Sequence, residues 1–213
     1  VREAALQDYL NKMTRLLLKE GLPDAESGSP VHTVAQAHTE AVVGRLDRHR
    51  CLIVVRFLLQ NKLFSLLNLA GIDLSGADLG GAHLYEANLN RANLSQANLS
   101  QTQIVRTTLR QANLSQAELS RAVLSDVDLT LAKLNGANLT LAYLINTNLD
   151  GADLRTANLS RASFVFLDQQ GDAIVAESSP PLARVHSLAG AIMPNGSLYD
   201  PTTPLENQLR SVT

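Results

Sequence analysis

An apolar residue returns at every fifth position for about a hundred residues, without a miss. The series starts at Leu69 and runs through Leu74, Leu79, Leu84, Leu89, Leu94, Leu99, Ile104 and Leu109. It then continues from Leu114 through Leu124 and Leu144 to Leu159 and Phe164. Two positions before each stands something small or apolar, usually Ala, with Thr102, Thr107, Thr147, Val127, Leu67 and Ile72 as the variants. A short polar residue separates the pair, as in Ala77-Asp78-Leu79 and Ala92-Asn93-Leu94. Twenty successive matches are beyond chance. Five is neither the period of a helix nor that of a strand. It suits a chain that turns a corner every five residues, aiming each central Leu and the preceding Ala at one axis. Four such sides close a square coil, and stacked coils bond one another through main-chain N–H and C=O groups. Twenty repeats predict about five coils, a rod of roughly 24 Å. The chain is 45% apolar but only 4% aromatic and has no Trp, so Leu and Ala must fill that core.

On these residues the segment from 65 to 166 resembles the pentapeptide-repeat family, whose motif is Ala-(Asp/Asn)-Leu followed by two variable residues. The resemblance implies a β-solenoid, the right-handed quadrilateral β-helix of that family. The flanks are similar to those of cyanobacterial members, through Leu46-Asp47 and Leu58-Leu59 before the rod and Leu188-Ala189-Gly190-Ala191-Ile192-Met193-Pro194-Asn195-Gly196 after it. Some such relatives carry a membrane segment upstream. The chain here begins at Val1, directly on a helical pattern, and is expected to be part of something longer. Its expected place is the cytoplasm, or the cytoplasmic face of a membrane where such an anchor precedes it. No apolar stretch of its own reaches the roughly 18 residues of a membrane span.

Residues 1–64 are expected to be α-helical and to cap the rod. Leu6, Tyr9, Leu10, Met13, Leu16 and Leu17 share one face of a helix over 2–20, which Gly21 and Pro23 end. Ser29-Pro30 reads as N-cap and first-turn proline of a second helix reaching about Arg45. A third, about 48–61, is apolar nearly all round and should be buried over the first coil, with Phe64 entering the core. Residues 167–213 are expected to form a C-terminal capping segment and tail. There Ser178-Ser179-Pro180-Pro181 breaks regular structure, 182–193 packs on the last coil or along a side, and the stretch beyond Pro201 is loosely held.

Little points to catalysis. His32, His38, His49, His83 and His186 show no ligand spacing, and the single Cys51, in an apolar run, reads as a buried inert thiol. There is no Gly-x-Ser-x-Gly elbow and no phosphate loop. Asp126 and Asp128 lie on an outer face in water. No enzyme, metal or cofactor is expected. A net charge of -2 draws the chain to neither nucleic acid nor anionic lipid. The resemblance also implies one alternative, since some family members mimic DNA and inhibit DNA gyrase. Residues 65–166 carry eight acidic against seven basic residues, too even a balance for phosphate mimicry.

Residues twenty apart stack on one side, so each side reads as a column. On three sides the outward positions are nearly all Asn, Ser, Gln, Asp, Gly and Arg. The fourth, centred on Leu84, Ile104, Leu124, Leu144 and Phe164, presents Tyr85, Val105, Val123, Tyr143, Ile145, Val165 and Phe166. An apolar stripe on a solenoid surface marks a contact. It is either covered by the chain's own helices or tail, or it carries a protein partner whose identity the sequence leaves open.

Overall fold

Two inward and three outward positions per repeat make the rod, and main-chain and side-chain hydrogen bonds hold its corners. The computed structural model describes residues 2–26, 28–43, 45–167, 173, 174, 185 and 187–209. Over most of the rod it winds as a right-handed four-sided β-helix whose central Leu residues are almost wholly buried, with the preceding Ala beside them. On one side the extended segments are regular strands: β1 (His83–Tyr85), β2 (Gln103–Val105), β3 (Val123–Ser125), β4 (Tyr143–Ile145) and β5 (Ser163–Leu167). They pair in parallel with a twenty-residue register, Leu84 to Ile104, Ile104 to Leu124, Leu124 to Leu144 and Leu144 to Phe164. The other three sides stack through single parallel bridges, such as Asn68 to Asn88, Asp73 to Asn93 and Asp78 to Asn98. Four twenty-residue steps separate the five levels, so the stack makes about four turns where the repeat count predicts about five coils. The end of β5 pairs antiparallel with β6 (Ala173–Ile174).

Three of the four corners are β-turns in which a Leu carbonyl accepts the N–H three residues on, as in Ala92 to Leu89 (3.0 Å) and Ala97 to Leu94 (3.1 Å). Their third residue has positive φ even where it is not glycine: 59° at both Arg91 and Gln96. That conformation costs an ordinary residue about 1–2 kcal/mol. It is held because the same N–H bonds the next coil, Arg91 to the Arg110 carbonyl (2.8 Å) and Gln96 to that of Ser115 (2.9 Å). The polar residue of the motif serves the corner as well. The Asn113 side-chain oxygen accepts the Ser115 N–H at 3.1 Å, and the Asn98 oxygen that of Ser100 at 3.0 Å. At the fourth corner, after the strands, the Ala87 N–H points at the Thr107 hydroxyl one coil on (3.4 Å), and that hydroxyl donates to the Leu84 carbonyl (2.8 Å). Thr147 does the same for the Leu124 carbonyl (3.1 Å). A buried hydroxyl therefore replaces the turn bond, which accounts for Thr in place of Ala at 107 and 147.

Helices α1 (Arg2–Lys19), α2 (Pro30–Val43) and α3 (Arg48–Gln60) precede the rod, with a 3-10 turn at Leu22–Asp24 after Gly21. Asp47 caps α3 by accepting the Arg50 N–H at 3.1 Å. From these helices the chain enters the rod through buried Leu63, Phe64 and Leu67. Gln36 of α2 then acts as one more strand. Its side-chain oxygen accepts the Asn68 N–H (2.8 Å) and its amide donates to the Asn68 carbonyl (3.3 Å). An open edge of the first coil is thereby satisfied.

At the far end the ladder does not stop at 166 as the sequence suggested. Ser187 pairs with Asp153 and Ile192 with Asn158, and Leu188, Ala191 and Met193 are buried in the same inward roles as Leu154, Ala157 and Leu159. Ser187 follows Asp153 by 34 residues instead of 20, so fourteen residues are inserted before the last partial coil. The stretch beyond Pro201 is also better held than expected. It forms α4 (Leu205–Leu209), in which Gln208 is only 2% exposed. The Gln208 amide donates to the Asp200 carbonyl (2.8 Å) and its oxygen accepts the Asp200 N–H (3.0 Å), the device used by Gln36. The breaker Ser178–Pro181 and residues 182–184 lie outside the described residues. Among the described residues no helix is long and apolar enough to cross a membrane.

Candidate functional site

The side built from β1 to β5 brings the apolar outward residues into two columns. One holds Tyr85, Val105, Ser125, Ile145 and Val165, the other His83, Gln103, Val123, Tyr143 and Ser163, each residue directly over its neighbour twenty positions away. Strands β1 to β4 are only three residues long, so each outward side chain on them flanks one buried core residue. Tyr143 is 52% and Tyr85 41% exposed, and Val105, Val123, Ile145 and Val165 are half-buried. Six of the seven predicted residues thus lie together on one face, with two tyrosines standing out from it. The Phe166 side chain lies outside the described residues.

The face is graded along its length. Near the helices it is polar at its edge: the Tyr85 hydroxyl donates to the Gln103 side chain and lies 2.9 Å from His83 Nδ1, with the two rings edge to face at 5.5 Å. Beyond Gln103 the composition turns apolar, through Val105 and Val123 to Tyr143, Ile145 and Val165. Its two borders differ. One border is paired within itself, Arg106 to Glu86 at 3.0 Å and the Asn146 amide to Asp126 at 3.0 Å, with the Ser125 hydroxyl also on Asp126 (3.1 Å). The other border runs Gly81, Gln101, Arg121, Leu141 and Arg161. Arg121 and Arg161 are exposed, and among the described residues neither has a salt bridge.

Elsewhere the side-chain chemistry serves structure. Burial pushes the Asp128 carboxyl up, but the Thr130 hydroxyl and N–H and the Arg110 guanidinium (2.8 Å) outweigh it and hold the group below its ordinary range. Burial likewise acts against Glu118, and bonds from Ser120 and Asn138 bring it down. Both carboxylates are fixed as hydrogen-bond acceptors. Among the described residues no group of His, Cys, Asp and Glu is placed to hold a metal ion. Shallow grooves lie between α2 and the first coil, about 350 Å³ lined by His32, Gln36, Glu40 and Glu86, and beside Arg91 and Arg110, about 320 Å³. The polar ring of His83 and Gln103 around Tyr85 was not anticipated from sequence, although both stand in the columns that the period defines. Leu131, 51% exposed at a corner, was also missed; an apolar residue in a column with Arg91 and Gln111 was its available signal.

The family model for pentapeptide repeats (8 copies) matches residues 68–104, 102–140 and 137–168, the segment that forms the square coils. The chain belongs to the pentapeptide-repeat family. Among solved structures of pentapeptide-repeat proteins, it is similar to Rfr23 from the cyanobacterium Cyanothece 51142, at 35% identity over 43% of this chain and 60% of that one, with a TM-score of 0.41. It is similar to alr5209 from Nostoc Pcc 7120 at 40% identity, over 40% of this chain and 67% of that one, with a TM-score of 0.25. A third likeness is to QnrB1, a plasmid-mediated fluoroquinolone resistance protein, at 23% identity over 47% and 56% of the two chains, with a TM-score of 0.40. The chain therefore spans less than two thirds of the length of Rfr23 and QnrB1. Comparison with curated proteins finds no match.

Proposed function

We propose that this pentapeptide-repeat protein is a non-catalytic scaffold whose strand-built face carries a protein partner. One observation supports this above the rest: on a rod whose other sides are largely polar, this face gathers Val105, Val123, Ile145 and Val165 beside Tyr85 and Tyr143, which stay 41% and 52% exposed. Aromatic residues held on a rigid surface bury much area on contact at small entropic cost. The contact residues are Tyr85, Val105, Val123, Tyr143, Ile145 and Val165. Mimicry of DNA is the poorer account, because seven bases are interspersed among the rod's eight acids and three of those acids are neutralised locally, Asp128 by Arg110 (2.8 Å), Asp153 by Arg155 (2.6 Å) and Glu86 by Arg106 (3.0 Å). Regular uncompensated charge, which a phosphate backbone presents, is not available there.

The test is affinity capture from a lysate of the source organism, with the native chain against a Tyr143→Asp, Ile145→Asp double variant. Circular dichroism first establishes that the variant keeps its fold. A partner held by the native chain and lost by the folded variant is the expected result. Equal capture by both would remove the face from consideration.

A further inference from the structure

We propose that the occupant of this face is a single amphipathic α-helix of the partner, carrying acidic side chains along the border that faces Arg121 and Arg161. This rests on the strand face being the contact surface, and it names what fits there. Size comes first. Five levels at the inter-strand spacing of about 4.8 Å make the stripe roughly 19 Å long, and three residues per strand make it roughly 10 Å wide. That is roughly 200 Å², far below the roughly 800 Å² per partner of a stable globular contact, a second copy of this chain included. A helix is about 10 Å across and covers roughly 19 Å in about thirteen residues, so it matches the stripe in both dimensions. A helix laid by its apolar face on a hydrophobic surface is also a common recognition mode.

Charge then selects among helices. On one border Glu86 with Arg106, and Asp126 with Asn146, already satisfy one another. On the other, Arg121 and Arg161 are exposed, with no acid paired to either among the described residues, and Leu141 stands between them. Both guanidiniums leave corners of positive φ, 58° and 59°, so the turn geometry places them alike. They are two coils apart, about 9.6 Å. Side chains seven positions apart on a helix lie on nearly the same face and about 10.5 Å apart. A helix with Glu or Asp at i and i+7 on one flank of its apolar face therefore meets both arginines at once. Tyr143 and Ile145 would pack against the apolar residues between those acids.

The experiment is a display library of helical peptides about fifteen residues long, with the apolar face kept and the flanks randomised. It is selected on the full chain, on an Arg121→Glu, Arg161→Glu variant and on the Tyr143→Asp, Ile145→Asp variant. The expected result is enrichment of acids at i and i+7 on the native chain. Selected peptides should lose tenfold or more in affinity on the arginine variant, which should instead enrich Lys or Arg at those positions. Peptides that need Tyr143 and Ile145 but show no charge preference would overturn the acidic-helix assignment and leave the face standing. Peptides indifferent to both variants would overturn the face as well. Failure to enrich any helix on the native chain would overturn the helical occupant, with lysate capture still testing the face on its own.

Discussion

In the helical region the buried side chains differ in shape, Tyr9, Met13, Leu16, Val54 and Leu58 among them, whereas in the rod Leu lies over Leu and Ala over Ala for level after level. The two regions bury apolar surface equally well and teach different things about specification. In the rod one local rule, repeated, determines each level, and a level touches only those above and below it. In the helical region no rule repeats, and two buried titratable groups, Tyr9 and Cys51, sit in the packing. The polar groups fully buried in the rod are hydroxyls that never ionise, those of Thr102 and Thr107.

Core truncation should separate the regions most strongly. Leu94→Ala, Leu114→Ala and Leu134→Ala remove the same side chain from the same column at successive levels. Each should cost about 2–5 kcal/mol, and the three should agree within about 1 kcal/mol because their surroundings repeat. Met13→Ala and Leu16→Ala, in unlike surroundings, should differ from one another by more. Urea unfolding followed by circular dichroism measures both sets, and a spread in the rod as wide as that in the helices would break the contrast.

Alkali should reach the helices first. Burial pushes the Tyr9 phenol up to about 12 from 10.0, partly opposed by the hydrogen bond with Thr39. Burial, with the Asp73 and Asp47 carboxylates, pushes the Cys51 thiol up to about 11 from 9.0. A folded pKa above the unfolded one means that the protonated group stabilises the fold. That contribution is complete below the unfolded value and is lost as pH rises, between 9.0 and 11 for Cys51 and between 10.0 and 12 for Tyr9. For Tyr9 it is on the order of 2–3 kcal/mol. Helical ellipticity should fall in this window, and Tyr9→Phe should remove the later part of the loss. A variant that titrates like the native chain would show that another group governs the loss.

At the strand corner, Thr107→Val should cost about 1–3 kcal/mol by leaving the Leu84 carbonyl without its hydroxyl donor. Val127 fills the same column one coil on, so shape alone is no obstacle, and Thr107→Ser should retain most of the stability. At the junction of the two regions, Gln36→Ala should cost less, about 0.5–1.5 kcal/mol, because Gln36 is only half-buried and water can take over both bonds to Asn68. Hydrogen exchange at the Asn68 amide would show the loss directly.

These sites also mark how far the sequence could be read. The square coil follows from the period, since only a corner every fifth residue turns both Leu and Ala inward, and the apolar face follows from the twenty-residue repeat of that corner. The last partial coil was legible in principle, because Ala191 and Met193 keep the two-residue offset of the motif and Leu188 the five-residue spacing. The fourteen inserted residues broke the count before it. The Gln36 and Gln208 bonds were hidden because each joins a side chain to a backbone by tertiary placement, which no local pattern encodes. The pairing within one border of the apolar face, and its absence on the other, likewise depended on which long side chains reach one another.

The smallest expected effect tests whether the rod's rule is optimised everywhere or only tolerated. Leu131 occupies the positive-φ position of its turn at 60°, where glycine stands at 71 and 151 in the same column, and it is 51% exposed. Leucine gains little burial there and is strained by its Cβ, whereas Asn enters the left-handed region more readily. Leu131→Asn should therefore stabilise the rod by roughly 0.5–1 kcal/mol, an increase that thermal unfolding can detect. The neighbouring coil adds a constraint. A Cβ at Gly151 would stand 2.6 Å from Leu131 Cδ2, so this leucine crowds the level beside it. Gly151→Ala should be less harmful in the Leu131→Asn background than alone, and the coupling between them measures nearest-neighbour contact on the outer surface of the rod. Zero coupling, with Leu131 free to swing aside, would confine strict level-to-level dependence to the core.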